Sequence, residues 1–260
     1  TIISSLIKKK IKKGLGLLNA NNICTGAAPT PVATINWFAK LGINIQEAYA
    51  MTENACYSHV TLNSKIKVGY VGKALPFCNV KLSDINEILI KHEALMLGYY
   101  KDEKQTNEII KDGWLHTGDE GSIDSDGFLK ITGRVKDIFK TSKGKYIAPT
   151  PIEMKLSENN YIEQVCVVGN GIPQPIALAV LSESAHAAAD LNESISKTLE
   201  DVNNTLEKHE VLNNIVLLKE NWTLENKFLT PTMIIKRNSI EKKYQANYTK
   251  WYDEDKIVKI

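Results

Sequence analysis

Long apolar runs are missing from this 260-residue sequence. No stretch of about 18 apolar residues occurs, which excludes a membrane-spanning helix, and the first residues lack the charged, apolar and small-residue order of a secretory signal. With 43% hydrophobic and 24% charged residues, the composition is that of a globular chain long enough for one large domain or two ordinary ones. We therefore expect a cytoplasmic protein, and leave contact with a membrane surface open.

Cysteine is also scarce. The four cysteines lie far apart and form no C-x-x-C pair, which argues against zinc or redox chemistry, and the five histidines show no metal-ligand spacing. We expect reduced and mostly buried thiols, and no metal site made of protein ligands alone. The cysteines are Cys24, Cys56, Cys78 and Cys166.

Acidic residues are absent from residues 1–22, which nevertheless carry five lysines between positions 8 and 13. The net charge of the whole chain is only +2, which argues against a nucleic-acid partner. Apolar residues recur at helical intervals in the same segment, so it reads as an amphipathic basic helix. A surface helix with a solvated lysine face is the favoured interpretation, and a helix that binds a membrane surface or a partner is the alternative. The apolar positions are Ile3, Leu6, Ile7, Ile11, Leu15 and Leu18.

A strand, a helix and a second strand follow at about residues 22–29, 31–41 and 43–49. This order predicts a parallel α/β layer, in which ligands lie beyond the carboxyl ends of the strands. The small residues Gly26 and Ala27 follow the first strand, and the segment from Tyr49 to Glu53 follows the second. Both segments are therefore candidates for a ligand site.

Glycines and Asp-Gly pairs then divide residues 68–133 into short strands joined by tight turns, with one helix near residues 102–110. A small barrel or sheet is expected there. Beyond Lys136, helices and apolar strands predict an α+β lobe of about 120 residues, enough for a separate domain. The predicted class is α/β: the end of a large α/β lobe with a small β-barrel-like subdomain over residues 1–134, then a hinge and a compact α+β lobe over 135–260.

Four short blocks carry polar residues that fit chemistry on a nucleotide. They are Tyr49-Ala50-Met51-Thr52-Glu53, Gly113-Trp114-Leu115-His116-Thr117-Gly118-Asp119, Gly133-Arg134-Val135-Lys136-Asp137 with Lys143-Gly144, and Leu229-Thr230-Pro231-Thr232 with Lys236-Arg237. One block alone would be weak evidence, but four in order leave little room for chance. Through them nearly the whole chain resembles the adenylate-forming acyl-CoA synthetases, and most of all their long-chain fatty acid branch.

The resemblance implies a ligase that joins a carboxylic acid, such as a fatty acid, to the α-phosphate of ATP and then passes the acyl group to coenzyme A. Magnesium and hydrogen-bond donors must neutralise the phosphate charge, and a carboxylate is the ligand type that magnesium prefers. By resemblance, Thr52 contacts phosphate, Glu53 holds magnesium, Tyr49 stacks on adenine, Asp119 accepts the ribose hydroxyls and Arg134 makes a second nucleotide contact. Without the family match, each would read as an ordinary residue of a turn.

Further positions follow from the same resemblance. Gly26 and Ala27 are assigned to the neighbourhood of the adenine and the acyl carbonyl, although a close-packed strand end explains small residues equally well. Lys136 matches the hinge about which the small lobe rotates, and Lys143-Gly144 matches a loop that faces the active site during thioester formation. A solvated surface charge is the alternative for each lysine.

Two departures from the family pattern restrict the prediction. The Ser/Thr/Gly-rich loop that ends in lysine and cradles the ATP phosphates does not occur, so we expect the C-terminal part of a longer enzyme that is inactive alone. The adenylation lysine expected two residues after Thr232 is replaced by Ile234, which cannot donate a hydrogen bond. Two alternatives remain open: a related ligase for another carboxylic acid, or a degenerate member that binds nucleotide or acyl-adenylate without turnover. The sequence leaves the oligomeric state undetermined.

Overall fold

The computed structural model describes residues 2–62 and 65–260. The chain divides into two compact units, residues 1–131 and 132–260. The boundary predicted from the sequence, after Arg134, lies three residues further on and stays a prediction. Among the described residues, none of the helices is long and apolar enough to cross a membrane.

The first unit opens with helix α1 (Ile2–Gly14), which confirms the predicted basic helix. Its Lys12 Nζ donates to the carbonyl oxygen of Gly42 at 2.8 Å. Leu6 and Ile7 remain exposed, at 62% and 54% of their surface. A role for this helix at a membrane or a partner stays a prediction.

The predicted strand–helix–strand unit is confirmed. Strand β1 (Cys24–Thr25) pairs in parallel with β2 (Gln46–Tyr49), and α2 (Val32–Lys40) connects them. The helix begins directly after Pro31, whose fixed φ suits a helix start, and the chain leaves it through Gly42 at φ +74°. Strands β3 (His59–Val60) and β4 (Lys73–Ala74) extend the sheet in antiparallel fashion.

The expected small β subdomain is a five-stranded sheet. Its strands are β5 (Asn79–Leu82), β6 (Glu87–Lys91), β7 (Ile110–Lys111), β8 (Trp114–Ile123) and β9 (Leu129–Arg134). The order is β5-β6-β8-β7, and β9 pairs with β8. Helix α3 (Glu103–Ile109) precedes β7, and its N-cap residue Asp102 accepts a hydrogen bond from the amide of Gln105 at 2.9 Å. Ile88, Ile90 and Leu129 are fully buried in the core of this sheet.

The second unit is built on a four-stranded sheet in the order β12-β13-β14-β15. The first pair is antiparallel and the next two are parallel. A short hairpin, β10 (Phe139–Lys140) and β11 (Tyr146–Ile147), precedes it. The sheet strands are β12 (Ile162–Val168), β13 (Ile176–Leu181), β14 (Ile215–Leu218) and β15 (Ile257–Lys259); the helices are α4 (Pro149–Leu156), α5 (Leu191–Asn203), α6 (Arg237–Tyr244) and α7 (Tyr248–Tyr252).

Helices cover both faces of this sheet, and the strands are apolar almost throughout for that reason. Cys166 and Val168 point to one face, where aromatic residues around α6 and α7 pack. Val165 and Val167 point to the other, where α4 and α5 pack. The aromatic side chains on the first face are Trp222, Phe228, Tyr244, Tyr248 and Trp251.

The prediction of mostly buried thiols is wrong for two of the four cysteines. Cys78 and Cys166 are buried, whereas Cys24 and Cys56 are exposed. Cys24 opens a strand of only two residues, and Cys56 lies in a turn at φ +54°. An apolar local sequence does not bury a side chain in such short or turning segments.

The largely buried guanidinium of Arg237 connects four segments of the second unit. Arg237, the first residue of α6, donates to the carbonyl oxygen of Val167 at 2.6 Å and to the Glu153 carboxylate on α4. Its Nε lies 3.7 Å from Asp137 Oδ2, in the 3₁₀ turn Val135–Asp137. Burial raises the pKa of Glu153, and the charge of Arg237 opposes that shift. The largely buried charges of Arg237 and Glu153 are therefore paired with each other.

Replacement of Arg237 by alanine is expected to destabilise the second unit by about 3 to 5 kcal/mol, because it leaves the Glu153 carboxylate buried without its partner. Hydrogen exchange measured by mass spectrometry on peptides from β12 to β14 reports this loss. Lys243→Ala is the matched control, since it removes an exposed pair with Glu220 and is expected to cost less than about 1 kcal/mol. Equal protection of these peptides from hydrogen exchange in Arg237→Ala and Lys243→Ala would contradict the structural role of the Arg237–Glu153 pair.

Candidate functional site

Two of the residues predicted to bind the nucleotide are in contact in the first unit. Tyr49 ends β2 and Asp119 lies in β8, 70 residues apart in sequence, yet the phenol oxygen of Tyr49 donates to Asp119 Oδ2 at 2.9 Å. Asp119 is only 7% exposed, and its amide donates to Thr117 Oγ1 at 3.1 Å. The structure thus joins the first and second sequence blocks through one hydrogen bond and fixes the orientation of a carboxylate.

Glu87, on the neighbouring strand β6, holds the turn that carries Asp119. Its Oε1 accepts the amide of Gly118 at 2.9 Å, and its Oε2 lies 2.9 Å from His116 Nδ1. Gly118 has φ +71°, a conformation that a side chain would strain. Sequence reasoning missed Glu87; the one available signal is a carboxylate at the start of the apolar run Glu87–Lys91.

Thr52 and Glu53 lie in a 3₁₀ turn, Thr52–Asn54. The fully buried Asn54 braces this turn, because its Oδ1 accepts the amide of Met51 at 3.0 Å. Ala55 follows in the left-handed region at φ +53°. The Thr52 side chain is exposed and Glu53 is half-buried, so both are accessible to a ligand.

A tyrosine that sequence reasoning missed contacts Glu53. The phenol of Tyr99 donates to Glu53 Oε1 at 2.7 Å. Burial, together with the adjacent carboxylate, raises the pKa of Tyr99 to about 12, so that the phenol stays protonated at physiological pH. Tyr99 lies in an apolar and aromatic run that ends with Tyr99-Tyr100, and this pattern gives no signal for a contact with a carboxylate 46 residues away.

Gly26 and Ala27 directly follow β1 as predicted; both are exposed, and Gly26 lies close to the neighbouring strand. A Cβ at Gly26 would lie 3.2 Å from the carbonyl oxygen of Ala48, and Ala27 has φ +66°. This geometry supports the alternative of a close-packed strand end. Their assignment to the adenine and acyl-carbonyl neighbourhood stays a prediction.

A buried histidine lies behind Tyr49. The His59 ring centroid is 6.1 Å from that of Tyr49, and its Nδ1 lies 2.7 Å from Ser58 Oγ. Burial lowers the pKa of His59 to about 4. The ring is therefore neutral at pH 7 and packs as a polar core residue.

The remaining predicted residues belong to the second unit. Arg134 ends β9, and Lys136 is exposed in the 3₁₀ turn Val135–Asp137. Lys143 and Gly144 are exposed in the turn between β10 and β11, where Gly144 has φ +78°. Their roles towards a nucleotide or a thiol stay predictions.

The loop that carries Ile234 is closed by backbone hydrogen bonds. The amide of Ile234 donates to Thr230 Oγ1 at 3.0 Å, and its carbonyl oxygen accepts the amide of Thr230 at 2.8 Å. Ile234 is 42% exposed, whereas Ile235 packs against the core. Lys236 is exposed two residues later, so Ile234 and Lys236 share one side of the segment.

The donor set around Glu53 fits magnesium. Within residues 2–62 and 65–260, no group of three or more His, Cys, Asp or Glu side chains is arranged to hold a metal ion. Magnesium usually takes one or two protein carboxylates and completes its shell with substrate phosphates and water. A half-buried carboxylate beside an exposed hydroxyl meets that requirement.

Known proteins are similar to this chain in sequence and in fold. Residues 3–100 match the AMP-binding enzyme family, and residues 136–256 match the AMP-binding enzyme C-terminal domain. The long-chain-fatty-acid–CoA ligase FadD15 of Mycobacterium bovis is 29% identical over 98% of this chain and 45% of its own length. Long-chain-fatty-acid–CoA ligase 5 of Rattus norvegicus is 32% identical over 95% of this chain and 41% of its own.

A solved structure, the adenylation domain of a carboxylate reductase from Mycobacterium chelonae, aligns with a TM-score of 0.77 at 21% identity, over 97% of this chain and 42% of its own. It shows a shared fold. The chain belongs to the AMP-binding, adenylate-forming enzymes. The curated relatives named above are long-chain fatty-acid–CoA ligases, the branch that the sequence blocks predicted, and the α/β class is confirmed. The chain spans less than half the length of these curated relatives.

Acidification is expected to destabilise the first unit through His59. His59 of the unfolded chain binds a proton near pH 6.5, whereas the folded ring does so only near pH 4. The contribution of the neutral ring to the free energy of unfolding is therefore fully present above about pH 7, and it is lost as the pH falls from 6.5 towards 4. Between pH 7 and pH 5 the loss is about 2 kcal/mol. Urea unfolding at the two pH values measures it. His59→Asn should remove most of the difference and the exposed His186→Asn should not; an unchanged pH dependence in His59→Asn would refute this account.

Proposed function

We propose that this chain provides the nucleotide-binding and C-terminal parts of a long-chain fatty-acid–CoA ligase. In the first half-reaction, a carboxylate oxygen of the fatty acid attacks the α-phosphorus of ATP and pyrophosphate leaves. In the second, the thiolate of coenzyme A attacks the acyl carbonyl and AMP leaves. The observation that carries the proposal is the Tyr49–Asp119 hydrogen bond, which joins two of the family's sequence blocks at one place.

Asp119 is assigned to the ribose and Tyr49 to the adenine. A carboxylate with two oxygens can accept both ribose hydroxyls, and such charge-assisted hydrogen bonds are stronger than neutral ones. The Tyr49 phenol fixes the orientation of that carboxylate, while its ring face offers a stacking surface. Arg134 is assigned to a second nucleotide contact, and Gly26 and Ala27 to the neighbourhood of the adenine and the acyl carbonyl.

Thr52 and Glu53 are assigned to the triphosphate. The exposed Thr52 hydroxyl can donate to a phosphate oxygen, and the Glu53 carboxylate would hold magnesium. Magnesium, when bound, neutralises the charge that develops on the phosphate oxygens. In the second half-reaction, Lys136 is assigned to the pivot of the small lobe and Lys143-Gly144 to the loop near the thiol.

The cytoplasm is the proposed location, and contact of the basic helix α1 with a membrane surface is a secondary part of the proposal. A related ligase for another carboxylic acid is the competing enzyme reading, and the Thr-Pro-Thr block together with the named relatives favours the long-chain acid.

The full-length protein tests this function directly. With ATP, magnesium, coenzyme A and a panel of carboxylic acids, we expect acyl-CoA formation to be fastest with long-chain fatty acids. Asp119→Asn should lower the rate of ATP–pyrophosphate exchange by about 10² or more, because the ribose loses a charged acceptor. Asp126→Asn, in an exposed turn, is the matched control. A preference for short aryl acids, or exchange that does not depend on Asp119, would contradict the proposal.

Ile234 favours a second candidate function, a member that binds nucleotide or acyl-adenylate with little turnover. The long-chain branch has lysine at this position, and removal of one positioned donor typically costs about 10²- to 10³-fold in rate. Ile234 is partly exposed in a loop whose hydrogen bonds use only its backbone, so a lysine fits there.

Ile234→Lys in the full-length protein is therefore expected to raise the rate of pyrophosphate release by at least about tenfold. Met233→Lys is the control, because it adds the same charge one residue away at a more exposed position. Equal rates in Ile234→Lys and the parent protein would support the binding function over the ligase.

A further inference from the structure

The segment from Met96 to Tyr99 is attached to Glu53 by two hydrogen bonds. The amide of Met96 donates to the carbonyl oxygen of Glu53 at 2.8 Å, and the Tyr99 phenol donates to Glu53 Oε1 at 2.7 Å. The two residues at the side-chain bond lie 46 positions apart in sequence. Backbone and side chain of Glu53 are thus both held by one distant segment.

Tyr99 is itself fixed by the start of α3. Its amide donates to Thr106 Oγ1 at 2.9 Å, and its carbonyl oxygen accepts the amide of Asp102 at 3.2 Å. The preceding Gly98 leaves room for Thr106, because a Cβ at Gly98 would lie 3.0 Å from two atoms of that side chain. The phenol therefore approaches Glu53 from a rigid support.

We propose that Tyr99 is a positioning residue for Glu53: its phenol holds one carboxylate oxygen in place and leaves the other, Oε2, directed to a divalent cation bound with the ATP phosphates. This inference rests on the proposed function, which assigns the cation to Glu53. A neutral donor orients the carboxylate without cancelling its charge, whereas a lysine at this place would compete with the cation. Partners of this kind commonly contribute about 10- to 100-fold to metal affinity.

Tyr99→Phe tests the inference because it removes one hydroxyl and keeps the ring. The probe is Mn²⁺ with α,β-methylene-ATP, which is not cleaved at the α–β bond, and bound Mn²⁺ is measured on the full-length protein by electron paramagnetic resonance. We expect the apparent dissociation constant for Mn²⁺ to rise about tenfold in Tyr99→Phe. Tyr100→Phe, whose side chain is 88% exposed, is the matched control and should bind Mn²⁺ like the parent protein.

A double-mutant cycle separates positioning from a general structural role. Glu53→Gln should weaken Mn²⁺ binding, and Tyr99→Phe added to it should cause no further loss, because the phenol acts only through the carboxylate. Unaltered Mn²⁺ affinity in Tyr99→Phe, or a further loss of the same size on top of Glu53→Gln, would overturn the inference. If the parent protein shows no nucleotide-dependent Mn²⁺ binding, the proposed function itself fails; if the parent binds and only the cycle disagrees, Tyr99 alone is misassigned.

Discussion

The hydrogen bond between the Tyr49 phenol and the Asp119 carboxylate holds the candidate site together. Tyr49 ends a strand of the first sheet and Asp119 lies in the second, so the bond is one of the links between the two sheets of the first unit. Much of the surrounding structure supports it. Glu87 fixes the turn before Asp119, and the buried, neutral His59 packs behind the Tyr49 ring.

Glu53 is held in the same way, by the phenol of Tyr99. A phenol is well suited to this task, because it donates a hydrogen bond and carries no charge at physiological pH. Arginine or lysine would orient a carboxylate as firmly but would neutralise the charge that a ribose or a cation needs. In the second unit the largely buried Glu153 is paired with Arg237, and the opposite charge compensates its own. The two candidate ligand-binding carboxylates, Asp119 and Glu53, are thus held by neutral phenols, whereas the structural carboxylate of Glu153 is held by a charged guanidinium.

Sequence patterns predicted the parts of the structure that depend on local order. The sequence predicted apolar strands beyond Lys136, and β13 and β14 are such strands, because both faces of that sheet are covered and every residue in them is apolar. The helices α6 and α7 were not predicted, since α6 buries only Ile240 and Tyr244 in an otherwise polar sequence. Tyr99, Glu87 and Arg237 escaped prediction because their partners lie 29 to 100 residues away, a distance over which periodicity carries no information.

At position 234 the fold of the loop does not depend on the side chain. The loop around it is closed by the Thr230 side chain and by backbone groups, and the apolar contact with the core is made by Ile235. The Ile234 side chain is partly exposed and accepts or donates nothing, so the fold of the second unit places little demand on its identity. Under the proposed function, the side chain at position 234 therefore bears on turnover and not on the stability of the second unit.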